Sequence, residues 1–312
     1  MMQKKATLVL MALFLSGNMM AQLQMNKEQQ KLLDDAVKRG DKAFEGGGLD
    51  IDQALVAYDQ ALDIDPGNAE IMMKIGLCHL NGPHRQNALP FLQKAAEFAP
   101  TLPRIHYLLG YAYQLAGEWD KAIAEYEQHR AGAMGIPDQV SIYNSTDLRL
   151  AECRNGRSIQ VRDDVHVTNL GPAINSVRAD YGALVNATDD LLMFTSRRAG
   201  SMGSVVNKAT NEYYEDVYYS HRVGDGWSEP RNMGSPINSD GNDATISLVN
   251  NGKRLLLYRD SPKRGDIYSS EKEGDQWSEP VRLGPNVNSK YEESSAWITS
   301  DGQWIYFVSD RP

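Results

Sequence analysis

One interval governs the first half of this chain. Ala54, Ala88 and Ala122 stand 34 residues apart, Tyr58, Leu92 and Tyr126 follow at the same spacing, and Gly76 and Gly110 and Pro66 and Pro100 repeat it. A period of that length holds one helical hairpin, which cannot bury its apolar face alone and must stack on copies of itself. The glycines and alanines are expected where two helix backbones approach, with Tyr58, Leu92 and Tyr126 filling the gap between successive helix pairs. Proline cannot continue a helical hydrogen-bond ladder, so Pro66 and Pro100 should end the second helix of their units.

From Asn26 to about Gly156 this pattern resembles the TPR repeat, carried also by the strings "ALDIDPGN" (Ala61 to Asn68) and "KAAEFAP" (Lys94 to Pro100). The first unit departs from it by an extra residue around Gly46, Gly47 and Gly48. The third lacks the terminating proline and has Ala131 to Gly135 instead. An added helix from about Asp138 to Asn155, with Val140, Tyr143, Leu148 and Leu150 apolar, is expected to cap the stack. The resemblance implies that the first helix of each unit lines a concave face holding an extended peptide or partner helix. By its register the partner-binding residues are Met73, Leu77, Leu80 and Asn81, then Tyr107, Tyr111 and Gln114; the competing expectation is that they pack internally or face solvent. Asp63 and Asp65 lack the further ligands, central glycine and distal glutamate of an EF-hand loop.

Beyond Gly156 short β-branched and aromatic runs replace the helical pattern, and a second period sets in. "LGPAINS" at Leu170, "MGSPINS" at Met233 and "LGPNVNS" at Leu283 match, as do "GWSEP" at Gly226 and "QWSEP" at Gln276, 50 residues apart. The runs Leu192 to Phe194, Leu255 to Leu257 and Ile305 to Phe307 align without gaps. An insertion of about 13 residues between Arg198 and Val217 accounts for the longer first interval of 63. Units of about 50 residues with four strand signals have the size of propeller blades. For the second blade the strands are expected near residues 244–250, 254–258, 266–270 and 280–283.

The Asn251-Gly252 and Asp301-Gly302 turns, "YFVSDR" at Tyr306 to Arg311, "DVY" at Asp216, "DIY" at Asp266 and the Trp-Ser-Glu-Pro runs together resemble the WD40-like repeat of TolB-type and OmpA-family envelope proteins. The first blade differs, with Thr188-Asp189 in place of the glycine turn. Trp227 and Trp277 recur once per blade and are expected to pack between blades. Asn175, Asn238 and Asn288, and Asp216 and Asp266, are expected to satisfy backbone groups. Features that do not recur are better site candidates, which singles out the insertion with Tyr213 and Tyr214. Two blades and half of a third are present, and a strand near Val165 to Leu170 is expected to pair with the last blade of a complete propeller.

Lys4 and Lys5, an apolar run from Ala6 to Leu15, and Ala21 form a secretory leader, with cleavage expected after Ala21. The run is too short for a membrane span, and none is expected in the mature chain. A net charge of −9 argues against nucleic acid as a partner. Two cysteines, Cys78 and Cys153, leave a disulfide open, and the histidines show no metal-ligand spacing.

The expected architecture is α + β multidomain: leader 1–21, an α-helical TPR solenoid with capping helix 22–157, and an incomplete WD40-like β-propeller 158–312. No cofactor, metal or catalytic residue is expected. Leader, TPR repeats and propeller in this order are similar to OmpA-family proteins associated with type IX secretion. That implies a non-enzymatic periplasmic, outer-membrane-associated scaffold for cell-envelope proteins, tethered to peptidoglycan by a C-terminal domain beyond Pro312. The alternatives are a propeller-bearing glycosidase or peptidase, or a glycan or small-ligand sensor. Ser300 to Trp304 has the wrong spacing for a sialidase Asp box, and no Gly-x-Ser-x-Gly elbow occurs.

Overall fold

The computed structural model describes residues 25–133, 140–159, 164–202, 206–250, 252–261, 264–299 and 301–312. They form two compact units, the first drawn largely from residues up to 150 and the second largely from 151 onward. The expected leader lies outside the described residues.

The helical unit begins with α1 (Lys27–Gly46) and α2 (Ile51–Ile64), continues with α3 (Ala69–Asn81), α4 (Ala88–Phe98), α5 (Ile105–Leu115) and α6 (Trp119–Ala133), and ends with α7 (Val140–Ser158). Asn26 starts α1 through a reciprocal cap: its side chain accepts from Gln29 N–H at 2.8 Å while the Gln29 side chain accepts from Asn26 N–H at 3.1 Å. Asn68 caps α3, accepting from Ile71 N–H at 3.1 Å, and donates to Asp65 at 2.9 Å. Asp65 therefore serves this turn. Helices α2 and α4 stop before Pro66 and Pro100, as expected.

The repeat logic is visible at the glycines, which meet Tyr58, Leu92 and Tyr126 inside each helix pair and not only between successive pairs as expected. A Cβ on Gly76 would come within 2.6 Å of the Leu92 side chain, and one on Gly110 within 2.9 Å of the Tyr126 ring. Gly40 does the same for Tyr58, at 2.4 Å. Gly40 and Tyr58 are 18 residues apart, whereas Gly76 and Leu92, and Gly110 and Tyr126, are 16 apart. The first unit therefore carries two extra residues, not one, and they are accommodated by the short 3-10 turn Gly48–Asp50. The capping helix starts near its expected place and extends to Ser158. Leu150 is buried in it, but Leu148 is 60% exposed and does not pack as expected. Cys78 and Cys153 are each fully buried as thiols, not joined in a disulfide.

The sheet unit repeats one blade. In the first, β1 (Asp180–Val185), β2 (Leu191–Ser196) and β5 (Asp216–Val223) are antiparallel neighbours. The outer edge is split into β6 (Gly226–Trp227) and β7 (Arg231–Asn232), both paired with β5. The second blade copies this with β8 (Asp243–Val249), β9 (Arg254–Ser261), β10 (Arg264–Glu273), β11 (Gln276–Trp277) and β12 (Val281–Arg282). A third contributes β13 (Glu293–Ile298) and β14 (Ile305–Ser309). The insertion forms a small hairpin, β3 (Val206–Asn207) with β4 (Glu212–Tyr213). Residues 165–170 form no strand among the described residues, which do not include the last blade expected to pair with them. Val165, Val167 and Leu170 are exposed and enter no ladder among the described residues, and an extended segment without a partner leaves its backbone groups to water.

The recurring residues explain the blade. Proline cannot donate to a ladder, so each Trp-Ser-Glu-Pro run breaks the outer strand, and the serine before it bridges the break. Ser228 N–H donates to His221 O at 2.8 Å, while its hydroxyl accepts from His221 N–H at 3.1 Å. Ser278 does the same to Glu271 at 2.8 and 3.0 Å. Asn238 and Asn288 satisfy buried backbone, accepting from Val217 N–H at 2.9 Å and Ile267 N–H at 2.8 Å and donating back to the same residues' carbonyls. Asp189 takes φ 55°, the left-handed conformation that Gly252 and Gly302 supply in the sister blades. Trp277 packs against a core cluster that both blades share, Met193 and Val217 from the first and Leu255 and Leu257 from the second.

Asp266 departs from the expected backbone role. Arg282 grips it with two bonds of 2.8 Å. In the first blade Asn232 stands where Arg282 does and reaches Asp216 at 2.6 Å, while Met202 N–H donates to the same oxygen at 2.5 Å. The other carboxylate oxygen has no hydrogen-bond partner among the described residues. Burial pushes this carboxyl up from its ordinary value.

A second clamp had no counterpart in the sequence reading. Ser239 donates through its N–H at 2.5 Å and its hydroxyl at 2.7 Å to Asp243, which pairs with Arg259 at 2.5 Å. Ser176, Asp180 and Arg198 repeat the arrangement in the first blade, and Ser289, Glu293 and Arg311 in the third. Burial pushes the Glu293 carboxyl up, but donors from Ser309, Ser289 and Arg311 outweigh it and bring it from 4.5 to about 2. A depressed carboxylate gives stability that is present above its unfolded value and lost as pH falls toward the folded one. The urea midpoint of the sheet unit should therefore fall between pH 4.5 and about 2, and Glu293→Gln should flatten that segment of the profile. An unchanged profile in the variant would remove Glu293 from the account.

Candidate functional site

A groove of about 380 Å³ runs between α1 and α3, the first helices of the first two units. Its floor includes Leu33 and Ile71, which are almost fully buried. Asp34, Val37 and Lys38 of α1 and Glu70 and Lys74 of α3 line the sides. A further cavity of about 340 Å³, lined by Phe44, Glu45, Tyr58 and Leu77, shares Asp41 and Lys74 with it. Asp41 lies between the helices, pairing with Lys74 at 2.5 Å and accepting from the Tyr58 hydroxyl at 2.7 Å. Burial pushes the Asp41 carboxyl up, but Lys74 and Tyr58 prevail and hold it below its ordinary value. Burial and the adjoining carboxylate push the Tyr58 hydroxyl well up, so it remains a donor. The groove is thus apolar at its base and lined with charges of both signs.

In the third unit the described residues at the corresponding positions are engaged by other side chains. Tyr107 shares a hydrogen bond of 2.8 Å with Ser145 of α7, and its ring meets Tyr126 edge-on at 5.6 Å. The Arg149 guanidinium of α7 lies 4.8 Å from the centre of the Tyr111 ring. Gln114 accepts from the Tyr126 hydroxyl at 2.8 Å. All three expected partner contacts on α5 are engaged within the unit, Tyr107 and Tyr111 by α7 and Gln114 by Tyr126 of α6.

On α3 the expected set divides. Leu77 lines the second cavity, Met73 is half-buried and Asn81 is exposed. Leu80 is 6% exposed, so it belongs to the core and is withdrawn as a contact residue. Tyr213 and Tyr214 are half-buried in the sheet unit, on and just after β4. That hairpin is held by Arg197, which pairs with Glu212 and, at 2.5 Å, with Glu215.

The residues of α1 were missed for a traceable reason. Asp34, Val37, Asp41, Phe44 and Glu45 stand 36 residues before Glu70, Met73, Leu77, Leu80 and Asn81, so they hold the same register once the two-residue turn is counted. Gly40, 36 residues before Gly76, was the signal that would have shown it.

The helical unit has the stacked helical hairpins that the TPR resemblance implies. Its 34-residue period, paired helices and glycine contacts agree on that. No protein-family model and no curated protein matches the chain. Among solved structures, the TPR2B domain of yeast Sti1 in its complex with pHsp70 is 17% identical, with TM-score 0.36 over 40% of this chain and 98% of that one. The TPR domain of Arabidopsis OM64 is 14% identical, with TM-score 0.36 over 41% and 98%. The Yersinia enterocolitica type III secretion chaperone SycD, solved with a peptide of the translocator YopD, is 11% identical, with TM-score 0.36 over 43% and 98%.

Proposed function

We propose that this chain is an exported, non-enzymatic scaffold of the cell envelope that holds an extended segment of a partner protein in the groove between α1 and α3. The observation that carries this reading is the contrast within the array. The first two units leave a groove of about 380 Å³ with an apolar floor and charged sides, while α7 covers the corresponding face of the third. An extended peptide suits such a groove, burying alternate side chains while its polar groups meet the rim. Export rests on the leader pattern of residues 1–21. The periplasmic, outer-membrane-associated setting, the tie to peptidoglycan and the link to type IX secretion rest on the resemblance to OmpA-family proteins.

The test is photo-crosslinking in the full chain, with a photoreactive residue placed in turn at Val37, Met73 and Tyr107 and the protein expressed in its own envelope. Val37 and Met73 should capture the same polypeptide, and Tyr107 should capture none. Reversing two rim charges, Lys38→Glu with Glu70→Lys, should lower the yield about tenfold through like-charge contacts. Equal capture at all three positions, or capture at Tyr107 alone, would overturn the reading.

A further inference from the structure

The two Trp-bearing hairpins of the sheet unit share a sequence and differ in what covers the indole. In the first blade Arg222 stands opposite Trp227 across β5 and β6, and its guanidinium lies 4.3 Å from the ring centre. Asp189 fixes it there, its carbonyl accepting at 3.1 Å and its carboxylate closing an ion pair. In the second blade Lys272 stands opposite Trp277 across β10 and β11. Among the described residues no cation lies over the Trp277 ring. Trp277 instead lines a cavity of about 550 Å³.

The base of that cavity is apolar, with Met193 fully buried and Ile237 nearly so. Tyr219 and His221 project from β5 into its lining with their rings edge-to-face, 5.5 Å apart at 76°. Blade architecture does not require this pair, since Ser269 and Glu271 take those places 50 residues later. The exposed side carries Asp275 and Gln276 from the tight hairpin that also presents Lys272. Donors and acceptors both line the opening, and the formal charges of Lys272 and Asp275 cancel.

Size and chemistry together select the ligand. The volume lies within the range of small-molecule sites. A fatty chain would leave the polar rim unpaired, and a phosphorylated ligand would call for more than one cation. A sugar ring has an apolar C–H face for the electron-rich indole and hydroxyls around its edge for the rim. We propose that this cavity binds a neutral saccharide, one ring stacked on Trp277 and its hydroxyls bonded by Lys272, Asp275, Gln276 and His221. It is a second activity, independent of the peptide groove.

The experiment is calorimetric titration of the full chain with neutral glucose-, galactose- and N-acetylglucosamine-based trisaccharides. At least one should bind saturably. Trp277→Ala should weaken it by about tenfold or more, the loss of one stacking contact. Asp275→Ala, a change at an exposed turn that leaves the blade core untouched, should weaken it several-fold, and Arg222→Ala should leave it unchanged. Unfolding midpoints of each variant separate lost binding from lost structure. The proposal is overturned by the absence of saturable binding to every trisaccharide at about 10 mM, well above the range such a site should show, or by affinity that survives both Asp275→Ala and a folded Trp277→Ala.

Discussion

Replacing Arg259 with alanine should lower the stability of the sheet unit by about 3–5 kcal/mol, because it leaves a buried carboxylate without its cation. The Asp243 side chain is wholly buried and that of Arg259 is 15% exposed. The guanidinium also donates to the Pro236 and Ile237 carbonyls at 3.1 and 2.7 Å, so the loop leading into β8 loses its anchor as well. Burial pushes the Asp243 carboxyl up from its ordinary value even with Ser239 and Arg259 opposing it. Removing Arg259 raises it further. A raised carboxyl gives stability that is present below its unfolded value and lost as pH climbs through the folded one, so the deficit of the variant should narrow on acidification. Urea unfolding followed by tryptophan fluorescence reads this unit well, since four of the five tryptophans lie beyond residue 225. A deficit under 1 kcal/mol, or one independent of pH, would show the clamp to be decorative rather than structural.

Tyr58→Ala should cost the helical unit about 3–5 kcal/mol, the usual loss for emptying a buried aromatic site. Tyr58 is 2% exposed and fills the space above Gly40. Tyr58→Phe keeps the ring and removes only the bond to Asp41, for about 1 kcal/mol. Gly40→Ala approaches the same contact from the other side and should cost about 1–3 kcal/mol through overpacking. Far-UV circular dichroism of the full chain during urea unfolding distinguishes the three. If Tyr58→Ala and Tyr58→Phe proved equal, the ring would not be the organising element and the hydrogen bond would be.

The two periods were legible because they express stacking, which demands the same side chain at the same place in every copy. Ala54, Leu92 and Tyr126, the Asn-Ser turns and the Trp-Ser-Glu-Pro runs all fall where that demand predicts. What escaped depended on partners distant in sequence. Ser239, Asp243 and Arg259 are unremarkable as letters, and their clamp exists only once β8 and β9 pair. Tyr107 and Tyr111 hold the register of a binding face, yet the fold sets α7 beside them. Leu80 shows the converse limit, since register places a side chain on a helix face without saying whether that position is buried. The α1 half of the groove was hidden by a two-residue slip, marked in the sequence by Gly40 and made plain by its contact with Tyr58.

The clamp built from a serine, an acidic residue and an arginine closes within one strand pair and the loop that enters it. Gene duplication can therefore copy or delete such a module without rewriting its neighbours, which need only offer a matching apolar flank. The first copy has absorbed a thirteen-residue loop and the third has exchanged aspartate for glutamate, each while keeping the clamp. Modularity of this kind lets loops diversify into recognition surfaces while the scaffold beneath them is inherited intact.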